Sequence, residues 1–419
     1  MIEKSPKTFQ ERPMKSYKQP LIFVTILFFL FGFITCLNDI LIPHLKGLFT
    51  LNFTQAMLVQ VCFFSAYFFM SIPSGRLTQK KGYRFGIVTG LATAGVGTLG
   101  FIPAAQMSSY GIFLISLFVL ASGITLLQVA VNPYVTLLGD PDKAAFRLNL
   151  VQAFNSLGTT LAPLIGSLLI LESTDKVRAI QVPYMALTFA LITVALVFAK
   201  IPLPSLSNFS NEEVPEGNQT LGESLKNYLK TMKDYPHIII GMMAIFFYVG
   251  AEVSIGSFLV SWLGDAQVAG LTHEAAGRYV SFYWGGAMVG RFLGSVLTAK
   301  FKPVNILRFS VVSILALILI AIMFYSPGIS MWAIILVGLF NSVLFPIIFS
   351  ISVAGMGKAT AYASGLLCTC IVGGALVPLL QALMADGLGL RYSFFIPFLC
   401  YLYIVAFASK MGLPSKESK

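Results

Sequence analysis

Charged side chains are scarce in this 419-residue chain: Asp, Glu, Lys and Arg make up 11% of it, against 57% apolar residues and a mean hydropathy of +0.82. A water-exposed globular protein carries about 25% charged residues, so a soluble body of this size is excluded. Histidine is rarer still, with His44, His237 and His273 far apart near the ends of apolar runs. No metal cluster and no nucleophile–base set can be assembled from them, so neither a metal site nor a cofactor is expected and the chain does not read as an enzyme. The five cysteines, Cys36, Cys62, Cys368, Cys370 and Cys400, all fall inside apolar runs. An odd number without a metal or redox spacing implies no disulfide framework, and they read as small buried hydrophobes.

What the chain has in abundance is long apolar stretches. Those of about 20 residues, enough to cross a ~30 Å hydrocarbon core as helix, number twelve. They fall at 21–45, 54–77, 83–105, 109–138, 147–171, 181–200, 237–263, 274–299, 304–325, 329–353, 359–386 and 390–410. The runs are continuous rather than alternating, which excludes a barrel. The expected fold is an all-α membrane protein with twelve transmembrane helices. A polar tail, 1–20, precedes the first run without a small-residue cleavage site, so that run is expected to remain as an anchor.

The formal charge of +11 raises the question of a nucleic-acid partner. Threading the chain through twelve spans answers it: of 28 basic residues only Lys46, Lys176, Arg178, Arg278 and Arg391 fall on one side, leaving 23 on the other. Basic residues concentrate on the cytoplasmic face, so both termini are expected inside the cell and no nucleic acid is needed to explain the charge.

A polar stretch, 201–236, divides the spans six and six. It is read as a cytoplasmic linker between an N-terminal half, 21–200, and a C-terminal half, 237–410, with 411–419 a cytoplasmic tail. Near-equal lengths suggest duplication. After the second span of the first half comes Gly75-Arg76, followed by Gly82 and Arg84; the second half has Gly290-Arg291-Phe-Leu-Gly294 before its basic turn. The paired glycines would let helices approach closely. The first loop resembles the signature of the major facilitator superfamily between spans two and three, with Gln79 where an Asp is usual.

Against so apolar a background, ionisable residues within spans are informative, because a charge at bilayer depth normally faces a cavity or a partner. Asp39 in span 1, Glu252 in span 7 and Arg291 in span 8 qualify. The two carboxylates occupy first helices of the two halves and are candidates for cation coupling; Arg291 is expected in a structural or gating ion pair. Amides form a second layer: Gln128 and Asn132 in span 4, Asn149, Gln152 and Asn155 or Ser156 in span 5, and Asn341 in span 10. Carboxamides donate and accept, as an uncharged polyhydroxylated ligand requires. The alternative use of each is to bind helix to helix. Trp284 sits away from the predicted interfaces, either stacking on a sugar ring in a cavity or packed in the core.

Several stretches resemble the fucose–proton symporter family of the major facilitator superfamily. These are Asn38-Asp39-Ile-Leu-Ile-Pro43, Gln128-Val-Ala-Val-Asn132-Pro133, Arg147-Leu-Asn149-Leu-Val-Gln152-Ala-Phe-Asn155-Ser156, Tyr283-Trp284-Gly285-Gly286 with Gly290-Arg291-Phe, and Phe345-Pro346. Within that family the chain is most similar to the bacterial glucose/galactose branch. The resemblance implies two six-helix halves and a cation-coupled symporter importing a hexose across the inner membrane by alternating access, with Asp39 as the coupling carboxylate. It also implies co-transported H+ or Na+ and no cofactor, a monomer, and lipid as the surrounding partner. Fucose permease carries a second carboxylate where this chain has Gln128, and a tyrosine where it has Phe345. The competing expectations are an exporter of drugs or metabolites on the same fold, and a non-transporting sugar sensor.

Overall fold

The computed structural model describes residues 18–48, 53–166, 178–200 and 221–411, and among these all regular structure is helical. The first group of helices is α1 (Lys18–Leu48), α2 (Phe53–Gln106), α3 (Tyr110–Leu137), α4 (Ala144–Gly166) and α5 (Arg178–Lys200). A short α6 (Leu221–Asp234) follows. The second group is α7 (His237–Gly264), α8 (His273–Lys300), α9 (Pro303–Met323), α10 (Ile329–Asn341), α11 (Leu344–Val353), α12 (Thr360–Thr369), α13 (Gly373–Leu388), α14 (Leu390–Ser393) and α15 (Phe395–Met411).

Twelve crossings result, as the apolar runs predict. Helix α2 holds two of them, because Gly82 turns the chain at φ 83° and ψ 163°, a conformation that suits glycine and lets the helix reverse with no interruption longer than one residue. The pairs α10/α11, α12/α13 and α14/α15 each form one broken crossing. Nine stretches among the described residues are long and apolar enough to be recognised as spans by hydropathy. Helices α4 and α8 fall below that level because they carry the Asn, Gln and Arg residues of the candidate site.

Helix ends leave carbonyls without an intrahelical donor. Four arginines meet this need. Arg84 donates to the carbonyls of Phe198 and Ala199 at the end of α5, and Arg308 donates to Ala408 and Ser409 at the end of α15. The two occupy matching places, third span to sixth and ninth to twelfth, so the duplication extends to the caps. Arg147 closes α3 through the carbonyls of Val135 and Thr136, and Arg391 closes α9 through Ile322 and Met323. A guanidinium is suited to this because its fork reaches two carbonyls at once and its charge complements the helix dipole.

Within the first group α1 packs on α4 and α2 on α3 and α5; within the second α7 packs on α13 and α15, and α9 on α10 and α15. The groups meet along α4 with α8 and α2 with α12. Glycine makes these approaches close. On α8, a Cβ at Gly290 would collide with the Leu339 carbonyl and Ser342 Oγ, whereas one at Gly285 meets nothing within 4 Å. Gly290→Ala is therefore expected to destabilise by about 1–3 kcal/mol through overpacking, and Gly285→Ala to be neutral or slightly stabilising. Thermal unfolding of the two variants in detergent separates these outcomes; equal melting temperatures would contradict the packing account.

The stretch 201–236, read from sequence as a cytoplasmic linker, contains α6. Its apolar residues recur at Leu221, Leu225, Tyr228 and Met232, a helical stripe too short to register as a span. Tyr228 is buried at the junction of the two groups. Its hydroxyl donates to the Ile72 carbonyl on α2 at 2.6 Å, and its ring meets Tyr362 of α12 edge-on. A Cβ at Gly75 would collide with that hydroxyl, which explains the first glycine of the loop motif. Burial, with Tyr362 beside it, pushes the Tyr228 phenol well above its ordinary range. Residues 1–17, 201–220 and 412–419, which hold most of the predicted tails and linker, lie outside the described residues.

Candidate functional site

A cavity of about 340 Å³ lies where α1, α2 and α3 of the first group face α7 and α8 of the second. This is small-ligand size, at the lower end of the ~300–1,000 Å³ typical of such sites. Trp284 of α8 forms one wall, 43% exposed into the opening. Gly256 of α7 packs beside it, where an added Cβ would lie 3.2 Å from the indole Cζ2, so the absence of a side chain lets the ring edge sit close to α7. The sequence left Trp284 between cavity and core; the cavity is where it sits.

The other walls come from α1, α2, α3 and α7. Phe31, Phe63 and Phe64 make them largely apolar, and Thr35, Tyr67 and Ser257 supply the polar points. Thr35 spends its proton on the Phe31 and Gly32 carbonyls of its own helix, at 3.1 and 3.0 Å, so it offers lone pairs to the cavity. Gln128 on α3 is not itself a lining residue. Its amide donates to the Tyr67 hydroxyl at 2.8 Å, and Tyr67, not singled out from the sequence, carries that contact to the cavity wall.

Below Trp284, at i+7 on the same helix and one turn along α7 from Gly256, lies the ion pair. Arg291 Nη2 is 3.8 Å from Glu252 Oε1, with the side chains 14% and 16% exposed. The expected gating arginine and the expected cation carboxylate are thus partners. Arg291 also donates through Nη1 to Ser156 Oγ on α4, in the first group, and through Nε to the Ser342 carbonyl at 3.3 Å. The last acceptor has a local cause. Pro346 lacks the N–H that would bond residue 342, which opens the α10/α11 break and frees that carbonyl. Pro133 in α3 does the same to the Val129 carbonyl, which receives Ser364 Oγ of α12 at 2.9 Å, again across the two groups.

The remaining amides sit behind the cavity. Asn155 donates to the Phe28 carbonyl at 2.9 Å, tying α4 to α1. Asn149 bonds the Ala145 carbonyl of its own helix, and its oxygen, without a partner among the described residues, faces Gly294 of α8. Gln152 is buried; Asn132 is fully buried with neither amide atom bonded among the described residues. Asn341 accepts from Tyr401 at 2.7 Å inside the second group. Arg76 is half-buried beside Tyr228. Asn38 and Asp39 lie in α1, but their side chains are outside the described residues. Among the described residues no group of His, Cys, Asp and Glu is placed to hold a metal ion.

Twelve helical crossings in two packed groups, with a ligand-sized cavity between them and a buried ion pair beneath it, define a polytopic membrane carrier. Residues 22–378 match the model of the Major Facilitator Superfamily, and the chain belongs to that superfamily. It is a multi-pass membrane transporter, not an enzyme. It is 47% identical over 418 residues to the glucose/galactose transporter of Brucella abortus, covering 98% of each chain. It is 32% identical to the L-fucose-proton symporter of Escherichia coli, covering 94% of this chain and 93% of the other. The crystal structure of a point variant of the Escherichia coli fucose:proton symporter superposes with a TM-score of 0.85 at 31% identity, over 95% of this chain and all of that one. A proton:xylose symporter at 14% identity and a TM-score of 0.74 shares the fold.

Proposed function

We propose that the chain imports a hexose, glucose or galactose, together with a proton, by alternating access. The observation that carries this reading is the cavity between the helix groups, with a partly exposed indole and a few hydrogen-bonding groups, in a chain so similar over its whole length to a glucose/galactose transporter. An indole suits the apolar face of a pyranose ring, and Tyr67, Thr35 and Ser257 suit its hydroxyls. Asp39 is the coupling carboxylate and Glu252 a second ionisable group held by Arg291. The halves 21–200 and 237–410 rock about the cavity on the linker 201–236, with both termini cytoplasmic in the inner membrane of a monomer. Gly75 and Arg291 shape the cytoplasmic contact between halves, while Gly82 turns the chain, Arg84 caps α5 and Gly290 packs against α10, each within its own half. Asn149 is uncovered from α8 when that contact opens and meets the sugar there; Asn132 and Gln152 lie along the same route, and Asn38 beside Asp39. Asn155 and Asn341 hold helices in place.

Uptake of labelled glucose, galactose and fucose into proteoliposomes, with pH and sodium gradients imposed separately, tests this. Glucose or galactose accumulation driven by an inward proton gradient is expected. Accumulation only under a sodium gradient would transfer the coupling to Na+. The aromatic lining of the cavity favours one other reading, an exporter of hydrophobic compounds, and absence of hexose counterflow alongside efflux of such compounds would establish it.

A further inference from the structure

We propose that Tyr67 donates a hydrogen bond to the sugar and that Gln128 fixes the direction of that bond. The proposal rests on the reading of the cavity as the sugar site. A phenol has one proton to give and an oxygen that accepts. Here the oxygen accepts from Gln128 Nε2 at 2.8 Å, so the O–H must point away from the amide. The ring has no freedom to reorient: Tyr67 is 2% exposed and packs against Phe63 and Phe64, with ring centroids 5.6 and 6.5 Å away. Among the described residues no carbonyl or carboxylate takes the phenolic proton. Tyr67 lines the cavity, so its unspent proton is assigned to a ligand there, and Thr35, whose own proton is spent on its helix, presents an acceptor.

Opposed donor and acceptor points beside a flat indole read a sugar hydroxyl by hydroxyl. The hydroxyl that meets Tyr67 is bound as an acceptor, the one at Thr35 as a donor. Gln128 acts as a positioning residue, because it touches Tyr67 and not the cavity. Replacing its amide by a carboxylate of the same shape reverses the arrangement: the carboxylate takes the phenolic proton, and Tyr67 then turns only lone pairs to the sugar.

The test is binding of hexoses to the purified full-length protein, wild type and variants, using glucose, galactose and their monodeoxy and deoxyfluoro analogues. In wild type, one deoxy position is expected to weaken binding about three- to tenfold, the range of one neutral hydrogen bond. Fluorine at that position, which accepts but cannot donate, should recover part of the loss. In Tyr67→Phe the penalty at that one position disappears while penalties elsewhere persist; in Gln128→Glu the sugar hydroxyl still donates to the Tyr67 oxygen, so the deoxy penalty stays but the recovery by fluorine is lost. A Tyr67→Phe variant that weakens all analogues by the same factor, or keeps every wild-type penalty, overturns the role of Tyr67. A Gln128→Glu variant that keeps the wild-type pattern overturns the role of Gln128. If wild type binds neither parent hexose, the reading of the cavity falls and this proposal with it; if wild type binds and the variant patterns fail, only this proposal falls.

Discussion

Asp39→Asn abolishes uphill hexose accumulation while leaving sugar exchange across the membrane in place. The expectation follows from the rarity of charge in this chain. An ionised carboxylate on α1 at bilayer depth is costly, and neutralising it by a proton or by sodium permits the halves to reorient with the sugar. Asparagine is neutral in every state, so the empty carrier also reorients and nothing obliges a cation to travel. The driving force at stake is large. One elementary charge moved through 100 mV carries about 2.3 kcal/mol, enough at one cation per sugar for about 50-fold accumulation. The variant should fall to roughly onefold, with counterflow of labelled against unlabelled sugar continuing. Sugar and cation affinities are reciprocally linked, so the same variant should also lose the effect of pH on sugar binding. Full accumulation by Asp39→Asn would remove the residue from the coupling step.

The spans were legible because hydropathy over twenty residues is a strong signal and a bilayer forces the backbone into helices. The observed limits follow the apolar runs within a few residues, and even the reversal at Gly82 falls where the glycine-and-basic motif points. Helix α6 was not legible, since a short apolar stripe in a charged segment looks like a linker until Tyr228 finds its place between α2 and α12. The basic residues carried a second meaning that counting could not show. Their sidedness reads as topology, yet Arg84, Arg147, Arg308 and Arg391 also close helix ends, and which carbonyl each reaches depends on the fold.

The candidate site divides along the same line. Periodicity places Asn149, Gln152 and Asn155 on one helix, but it does not say which neighbour that helix has. Asn155 turned out to serve α1, so the amide stripe is in part the bond between helices that such residues also form. Tyr67 escaped attention because an aromatic residue among 36 phenylalanines carries no contrast. Its signal was the spacing Phe63, Tyr67, Ser71, which becomes meaningful only once Gln128 is known to lie opposite. The Glu252–Arg291 partnership joins residues on different helices, and no local pattern links them.

That partnership sets the other large effect. Arg291→Leu leaves Glu252 as a buried carboxylate without its counter-charge, and it leaves the Ser342 carbonyl, freed by Pro346, without its donor. Breaking one side of a buried pair typically costs about 3–5 kcal/mol, much of it from the charge left behind. Adding Glu252→Gln to Arg291→Leu removes that charge, so the double variant should recover more than half of the loss. What remains is the unbonded carbonyl, about 1–3 kcal/mol. Arg291→Lys separates the contributions further: it keeps the charge near Glu252, but an ammonium lacks the rigid fork that serves Ser156, Ser342 and Glu252 together. Its stability should fall between wild type and Arg291→Leu. Thermal or denaturant unfolding of wild type, Arg291→Leu, Glu252→Gln and the double variant measures the cycle, with Arg291→Lys alongside, and a double variant no more stable than Arg291→Leu would show that the charge pair is not the source of the loss. Because Arg291 reaches from α8 to Ser156 on α4, the cycle also bears on the moving parts. The bond to Ser156 must break for α4 and α8 to part, whereas the pair with Glu252 lies within one half and survives the movement, so the carboxylate keeps its counter-charge while the arginine exchanges its partner across the interface.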